Sequence, residues 1–321
     1  MHIYSRDFSK QKDRGGFSFQ EMLIVIAVIA LLITFLIPQL IDILRMGRYT
    51  RWVDLQKSMQ TRVYTKLLLP FQEDSVDIYE AGSSDIEIGK ALGGGDITGR
   101  VYNTAKKLNV DGTKDPATDN SPNSGTLING SEYKRTDANG DPLGRWKYKG
   151  VICFNEGGGN IQALNFGPKA SIFSGGMEEF TVYAWIYPTD TSSVRTIMAH
   201  EHTTHTGNFK MAINPVTTSL EITVNDQTES VGTIDINKWT FICLRYSQDE
   251  AVARIDEDEF TTNLHTAGPL NNANASPLLV GATHTGGTLG EAFVGRIDEI
   301  GGFSHYLSEN DIEDIYTHGS P

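Results

Sequence analysis

Residues 16–38 read GFSFQEMLIVIAVIALLITFLIP, and this stretch divides the chain into two parts of different physical character. From Met22 to Ile41 only Thr34 and Gln39 are frankly polar. As an α-helix rising about 1.5 Å per residue, that run is about 30 Å long, the thickness of a bilayer's hydrocarbon core. A membrane-spanning helix is therefore expected at about 22–41. Upstream, MHIYSRDFSKQKDRGG (1–16) sets Arg6, Lys10, Lys12 and Arg14 against Asp7 and Asp13 and cannot pack a core. An ordinary secretory signal has a shorter apolar region ending in a small-residue cleavage site, and neither feature is present. Glu21 stands at the entry to the apolar run, where a carboxylate is costly unless it finds a partner. It either caps the helix N-terminus, where negative charge suits the dipole, or it has a functional partner.

Gly16-Phe17-Ser18-Phe19-Gln20-Glu21, between a basic leader and an apolar helix, resembles the class III signal of type IV prepilins and type II secretion pseudopilins. The resemblance implies removal of residues 1–16 by a membrane prepilin peptidase that cuts after Gly16 and methylates the new amino terminus at Phe17. It implies that Glu21 directs filament assembly and that Pro38 kinks the helix. Inside a filament the freed α-amino group and the Glu21 carboxylate of a neighbouring subunit would neutralise one another and set axial register. Arg45, Arg48 and Arg51 follow the span, so charge bias alone does not orient it.

Beyond the apolar run, Trp52, Leu55, Met59, Val63 and Leu67 recur at helical steps. The helix is expected to cover 17–70, ending at Pro70, with its apolar stripe against a globular domain. Residues 71–146 are rich in Gly, Asp, Asn and Ser and are expected to form a small irregular, pilin-like region. Within it Asp137, Asn139 and Asp141 alternate as in a calcium loop, but without the distal glutamate that such a loop uses. Solvated turns are the competing reading.

From 147 to 321 short alternating runs separated by turns signal an antiparallel β-sandwich. They include FTVYAWIYP (180–188), KWTFICLRYS (238–247), AVARID (251–256) and EAFVGRIDEIGGFSHYL (291–307), and SENDIEDIY (308–316) reads as a short helix capped by Ser308. The ordered elements Ala163-Leu164-Asn165-Phe166, Phe180 to Trp185, Trp239-Thr240-Phe241, Val280-Gly281-Ala282 and Gly295 to Ile300 resemble the laminin G-like, concanavalin A-like jelly roll. The resemblance implies a module that binds glycans, proteins or calcium. Glu257-Asp258 stands where that family places an Asn-Gly or Asp-Gly hairpin, so a longer or different turn is expected there. The fold class is thus α+β and multidomain: a long helix, an irregular region and a jelly roll.

Tyr183, Trp185 and Tyr187 share one strand face and either stack on sugar rings or fill the interior. His200-Glu201-His202-Thr203-Thr204-His205 lacks the second histidine of HExxH and is expected in a loop. Glu221, Asp298 and Glu299 offer no two carboxylates at same-face strand spacing, so no catalytic residues are expected and the chain is not read as an enzyme. Cys153 and Cys243 are either two buried thiols or one disulfide, and two cysteines exclude a four-cysteine zinc site. A net charge of −13 argues against nucleic-acid binding. The expected protein is a pilin-like or pseudopilin filament subunit that displays a ligand-binding module. Its partners would be prepilin peptidase, other subunits, and a glycan or protein ligand. It would sit in the cytoplasmic membrane before assembly and in an extracytoplasmic filament afterwards. No cofactor is required, and calcium is the one candidate ion. A secretion pseudopilin with a cargo-contacting sandwich and a membrane-tethered carbohydrate-active enzyme are the alternatives.

Overall fold

The computed structural model describes residues 18–60, 65–69, 76–78, 97–101, 125–129, 131–146, 150–156, 159–166, 175–202, 205–271, 277–285 and 288–320. Gly16 and Phe17 lie outside the described residues. The chain divides into two units, residues 1–50 and 51–321.

The first unit is the apolar part of helix α1 (Phe19–Gln60). Its large apolar side chains from Phe19 to Met46 are all at least 42% exposed among the described residues. It is long and apolar enough to cross a membrane. Pro38 withholds one backbone donor, yet the helix continues through it.

The second unit begins at Arg51, within α1. In chain order its strands are β1 (Thr65–Leu69), β2 (Val76–Ile78), β3 (Ile97–Val101), β4 (Gly125–Ile128), β5 (Glu132–Lys134), β6 (Val151–Phe154) and β7 (Ala163–Asn165). There follow β8 (Phe180–Pro188), β9 (Arg195–His202), β10 (His205–Ile213), β11 (Leu220–Val224), β12 (Gln227–Val231), β13 (Thr240–Tyr246) and β14 (Ala251–Ile255). The last are β15 (Asp258–Thr262), β16 (Leu279–Val280), β17 (Thr283–Thr285), β18 (Thr288–Gly290) and β19 (Gly295–Phe303), before helix α2 (Glu309–Gly319). One sheet runs β15-β14-β13-β8-β19-β6-β5, with β1 also on β19, and the other runs β12-β11-β10-β9-β16-β7-β4-β3-β2. This is a long apolar helix followed by an antiparallel β-sandwich.

Two expectations change here. The helix does not reach Pro70: it ends at Gln60, and Leu67 lies in β1. The reason is an open strand edge. The short β6 pairs only with Gly295–Ile297 of β19, and β1 pairs with Ile300–Phe303 on the same side. Residues 135–146 keep the irregular, turn-rich form expected, whereas other described parts of 71–146 are sheet, since β2, β3 and β4 extend one sheet from β7 while β5 adds to β6. Their turn-rich sequence has little strand preference of its own, and unpaired backbone groups on the neighbouring edges recruit it.

Strand β8 explains its apolar sequence by having two covered faces. Phe180, Val182, Ala184 and Ile186 enter the core between the sheets. Tyr183 and Trp185 point the other way, into a second core with Trp52 and Met59 of α1, Phe241, Phe303, and Ile312 and Ile315 of α2. The base of α1 together with α2 thus covers part of the outer face of the eight-stranded sheet. Ser308 caps α2, its Oγ accepting from the Asp311 N–H at 3.2 Å.

Strand β19 holds the key irregularity. Ile297 and Ile300 both enter the main core, although a regular strand puts residues three apart on opposite faces. A bulge resolves the conflict, for Ile297 pairs with Ile186 and Ile300 with Ala184, leaving Asp298 and Glu299 opposite Trp185 alone. Glu299 adopts φ 84°, a rare conformation for a residue with a long side chain. Both acids consequently reach the second core. Arg145 meets Asp298 through Nε at 3.0 Å and Glu299 through a terminal nitrogen at 3.0 Å, with every side chain at most 1% exposed. Trp52 Nε1 and Gln56 Nε2 of α1 donate to the other Glu299 oxygen. Arg145 also donates to the Gly319 carbonyl at the end of α2 and lies 4.1 Å from the Trp185 ring centroid.

Of the two alternatives for the turn after AVARID, the longer one is not found: the turn is short and of another kind. Ile255 pairs with Asp258 around a two-residue turn in which Asp256, at φ 52°, takes the left-handed conformation that glycine or asparagine often supplies. Its carboxylate accepts from the Phe241 N–H at 2.8 Å. Cys153 and Cys243 are free thiols.

Two outcomes follow from this packing. Arg145→Ala should lower stability by about 3–5 kcal/mol in denaturant unfolding, because it leaves two buried acids without their cation. Adding Asp298→Asn and Glu299→Gln should recover part of that loss. Burial pushes both thiols up to about 12, so at pH 8 only about one in ten thousand is thiolate. A disulfide-exchange reagent should label neither cysteine in the native chain and both after denaturation.

Candidate functional site

At the membrane end, Ser18 and Glu21 form a reciprocal capping box. The Ser18 N–H donates to Glu21 Oε2 at 2.8 Å, and the Glu21 N–H donates to Ser18 Oγ at 3.3 Å. Within a single chain the capping reading of Glu21 is thus satisfied.

The three aromatics of β8 separate. Tyr183 and Trp185 are 0% and 3% exposed beneath α1 and α2, so neither offers a face to a ligand, which corrects the stacking proposal for both. Tyr187 alone is half-buried, because the helical cover ends before it. Its ring packs tilted against Trp239 with centroids 5.4 Å apart, and the Arg296 guanidinium lies 5.0 Å from its centroid.

The Asp137-Asn139-Asp141 alternation builds a turn from its own backbone. Asp137 Oδ1 accepts from the N–H groups of Asn139 at 2.8 Å and Asp141 at 2.9 Å. The Asp141 donation, first among the causes, holds the Asp137 carboxyl below its ordinary range. Among the described residues no group of three or more His, Cys, Asp or Glu side chains converges on a cation position. His200 to His202 is not loop but the end of β9, where His202 pairs with His205, and His200 is 2% exposed. Continued strand pairing, which no local motif announces, accounts for the difference.

The carboxylates also rearrange. Strand parity kept Asp298 and Glu299 on opposite faces, whereas the bulge brings them together. They are sealed around Arg145 and have no access to a substrate. Two accessible acids, Glu221 and Glu291, lie on or beside the other sheet. Leu220, Ile222 and Val224 of β11 enter the main core, so Glu221 and Thr223 face outward. Glu221 stands beside Ala212, and Ala212 beside Thr196. Glu291, just after β18, sends Oε2 to Thr196 Oγ1 at 2.8 Å and to Lys210 Nζ at 3.3 Å. On the other flank Asn214 Nδ2 donates to Glu221 Oε1 at 2.7 Å. The result is a polar face in which Glu221, Lys210 and Glu291 surround the small side chain of Ala212. Lys210 and Glu291 keep 20% and 37% of their side chains exposed. Such a face supplies both donors and acceptors to a polyhydroxylated ligand. Strand alternation in SLEITVN marks Glu221, but nothing in the sequence signals the long-range approach of Glu291.

The family model described as the concanavalin A-like lectin/glucanases superfamily matches residues 158–313. No curated protein matches the chain. Among solved structures, the heptameric SAP-like pentraxin from Limulus polyphemus aligns at 13% identity over 44% of this chain and 70% of that one, with a TM-score of 0.37. The CBM40 of Ruminococcus gnavus IT-sialidase bound to α2,3-sialyllactose aligns at 12% identity over 46% and 86%, with a TM-score of 0.37. Domain 4 of AbnA, a GH43 arabinanase from Geobacillus stearothermophilus in complex with arabinotriose, aligns at 14% over 58% and 87%, with a TM-score of 0.40. Residues 158–313 are a laminin G-like, concanavalin A-like jelly-roll domain.

Proposed function

We propose that this protein is a membrane-inserted, type IV pilin-like subunit that presents a glycan-binding jelly roll outside the cell. The observation that carries the reading is the bare apolar helix. A run of large side chains from Phe19 to Met46, each at least 42% exposed, requires lipid or neighbouring helices around it. Gly16, Phe17 and Glu21 stand where prepilin processing and assembly would need them. After cleavage the new ammonium at Phe17 would be four residues from a carboxylate at the edge of a low-dielectric rod. Pairing with the corresponding group of a neighbour would then set register.

The jelly roll acts in this reading as a binding module. Glycan recognition is supported by the family match and by the outward polar face at Lys210, Glu221 and Glu291, whose hydrogen-bonding groups suit sugar hydroxyls. The same face at a secretion machine would contact cargo, which is the pseudopilin variant of the proposal.

One observation favours a second reading. The Ser18–Glu21 capping box satisfies Glu21 without any neighbour, as in a protein that is simply anchored. Mass spectrometry of the mature N-terminus separates the two. The expected result is N-methylated Phe17, with Glu21→Ala leaving the processed chain in the membrane and out of any filament. An intact residue 1, or assembly indifferent to Glu21→Ala, would leave only the anchor. For the outer face, a glycan array probed with and without EDTA should give calcium-independent binding. The Lys210→Ala/Glu221→Gln variant should lose about tenfold or more in affinity, the effect of about 1.4 kcal/mol of lost hydrogen bonding.

A further inference from the structure

The outer face of the eight-stranded sheet is covered only in part. The row containing Phe241 and Trp185 lies under α1 and α2. The next row along β13, β8, β19 and β6 comprises Trp239, beside the first residue of β13, then Tyr187, Arg296 and Cys153. There Trp239 and Tyr187 are half-buried and Cys153 is buried. Leu143 packs with Val151, Cys153 and Trp239, and Trp239 also borders the second core, so the tryptophan is held by packing while staying half-buried. Arg296 lies over the Tyr187 ring and is fixed through Nε to Glu156 Oε1 at 2.8 Å, with 22% and 26% of the two side chains exposed.

We infer that Trp239, Arg296 and Glu156 form a second saccharide subsite, on the opposite sheet from Lys210 and Glu221, that takes a neutral sugar. The inference rests on the glycan-binding reading of the module. Trp239 supplies an apolar face held by packing, so that stacking a pyranose on it costs little side-chain entropy. Arg296 and Glu156 present a donor and an acceptor side by side, the pair that two vicinal hydroxyls require. Tyr187 is a positioning residue, the base on which Arg296 rests. The charge of the ligand follows from the surroundings. The Arg296–Glu156 pair is already neutral, Asp235 and Asp256 flank Lys238 beside Trp239, and the whole chain carries −13. An acidic polysaccharide would be repelled, whereas a neutral one is indifferent to that field. A protein partner is a poorer fit, because two half-buried aromatics fall well short of the roughly 1,200 Å² that a stable protein interface buries.

The chain has a built-in reporter. Trp52, Trp146 and Trp185 are at most 3% exposed, which leaves Trp239 as the tryptophan open to an aqueous quencher. The full chain in detergent is titrated with cellotriose, xylotriose, β1,4-galactotriose and trigalacturonate while acrylamide quenching is followed. At least one neutral trisaccharide should shield Trp239, and trigalacturonate should not. Trp239→Ala should weaken its binding by about tenfold and Arg296→Gln by a similar factor, while Trp239→Phe restores most of the affinity. Calorimetry supplies the readout for variants that lack the tryptophan. The absence of shielding by any neutral probe, shielding by trigalacturonate, or unchanged affinity in Trp239→Ala and Arg296→Gln would each overturn the inference. Sugar binding that depends on Lys210 but not on Trp239 would overturn this subsite and leave the proposed function standing. Dependence on Trp239 alone would do the reverse for the Lys210 face.

Discussion

One guanidinium between two carboxylates, all out of reach of water, is the constraint from which much of the second unit's arrangement follows. Arg145 comes from the turn-rich segment before β6, Asp298 and Glu299 from the bulge in β19, and the further donors Trp52 and Gln56 from α1. A buried charge needs an opposite charge close by, which restricts where every contributing element can sit. Helix, hairpin, sheet and C-terminal helix therefore meet at one point. The left-handed conformation of Glu299 is local strain held in place by that network. Hydrophobic burial around Trp52, Trp185 and Phe241 supplies attraction without direction, and the ion cluster supplies the direction.

This arrangement divides the sandwich into surfaces of different use. Where α1 and α2 lie on the eight-stranded sheet, aromatic side chains become core. Beyond the cover, the same sheet presents Trp239 and the Arg296–Glu156 pair. On the nine-stranded sheet, outward positions of β10 and β11 carry Lys210, Glu221 and Thr223 around Ala212. Whether an aromatic on β8 is structural or available is decided by a difference of two residues along one strand: Trp185 is 3% exposed, while Tyr187 is half-buried.

Some of this was legible from local pattern. The apolar run after Glu21 announces a lipid-length helix, and Ser18 three residues before Glu21 is the spacing of a capping box. Alternation in SLEITVN assigns Glu221 to the outside. The string Ile297-Asp298-Glu299-Ile300 contained a stronger message than strand parity allowed. Two core isoleucines three apart demand a bulge, and a bulge puts adjacent acids on one face. The unbroken apolar character of FTVYAWIYP likewise signals a strand covered on both sides, which disfavours ligand stacking at Tyr183 and Trp185.

By itself the amino-acid order determined the features governed by neighbours in the chain: a helix of membrane length, its cap, the alternation of strands and the class of sandwich. Tertiary structure alone decided which edges recruited the segments between 65 and 134, which acids met Arg145, and which aromatics remained open. The physical reason is range. Helix and strand periodicity arise from contacts a few residues apart, whereas strand pairing and ion clustering join groups as distant as Trp52 and Glu299, whose meeting no local pattern encodes.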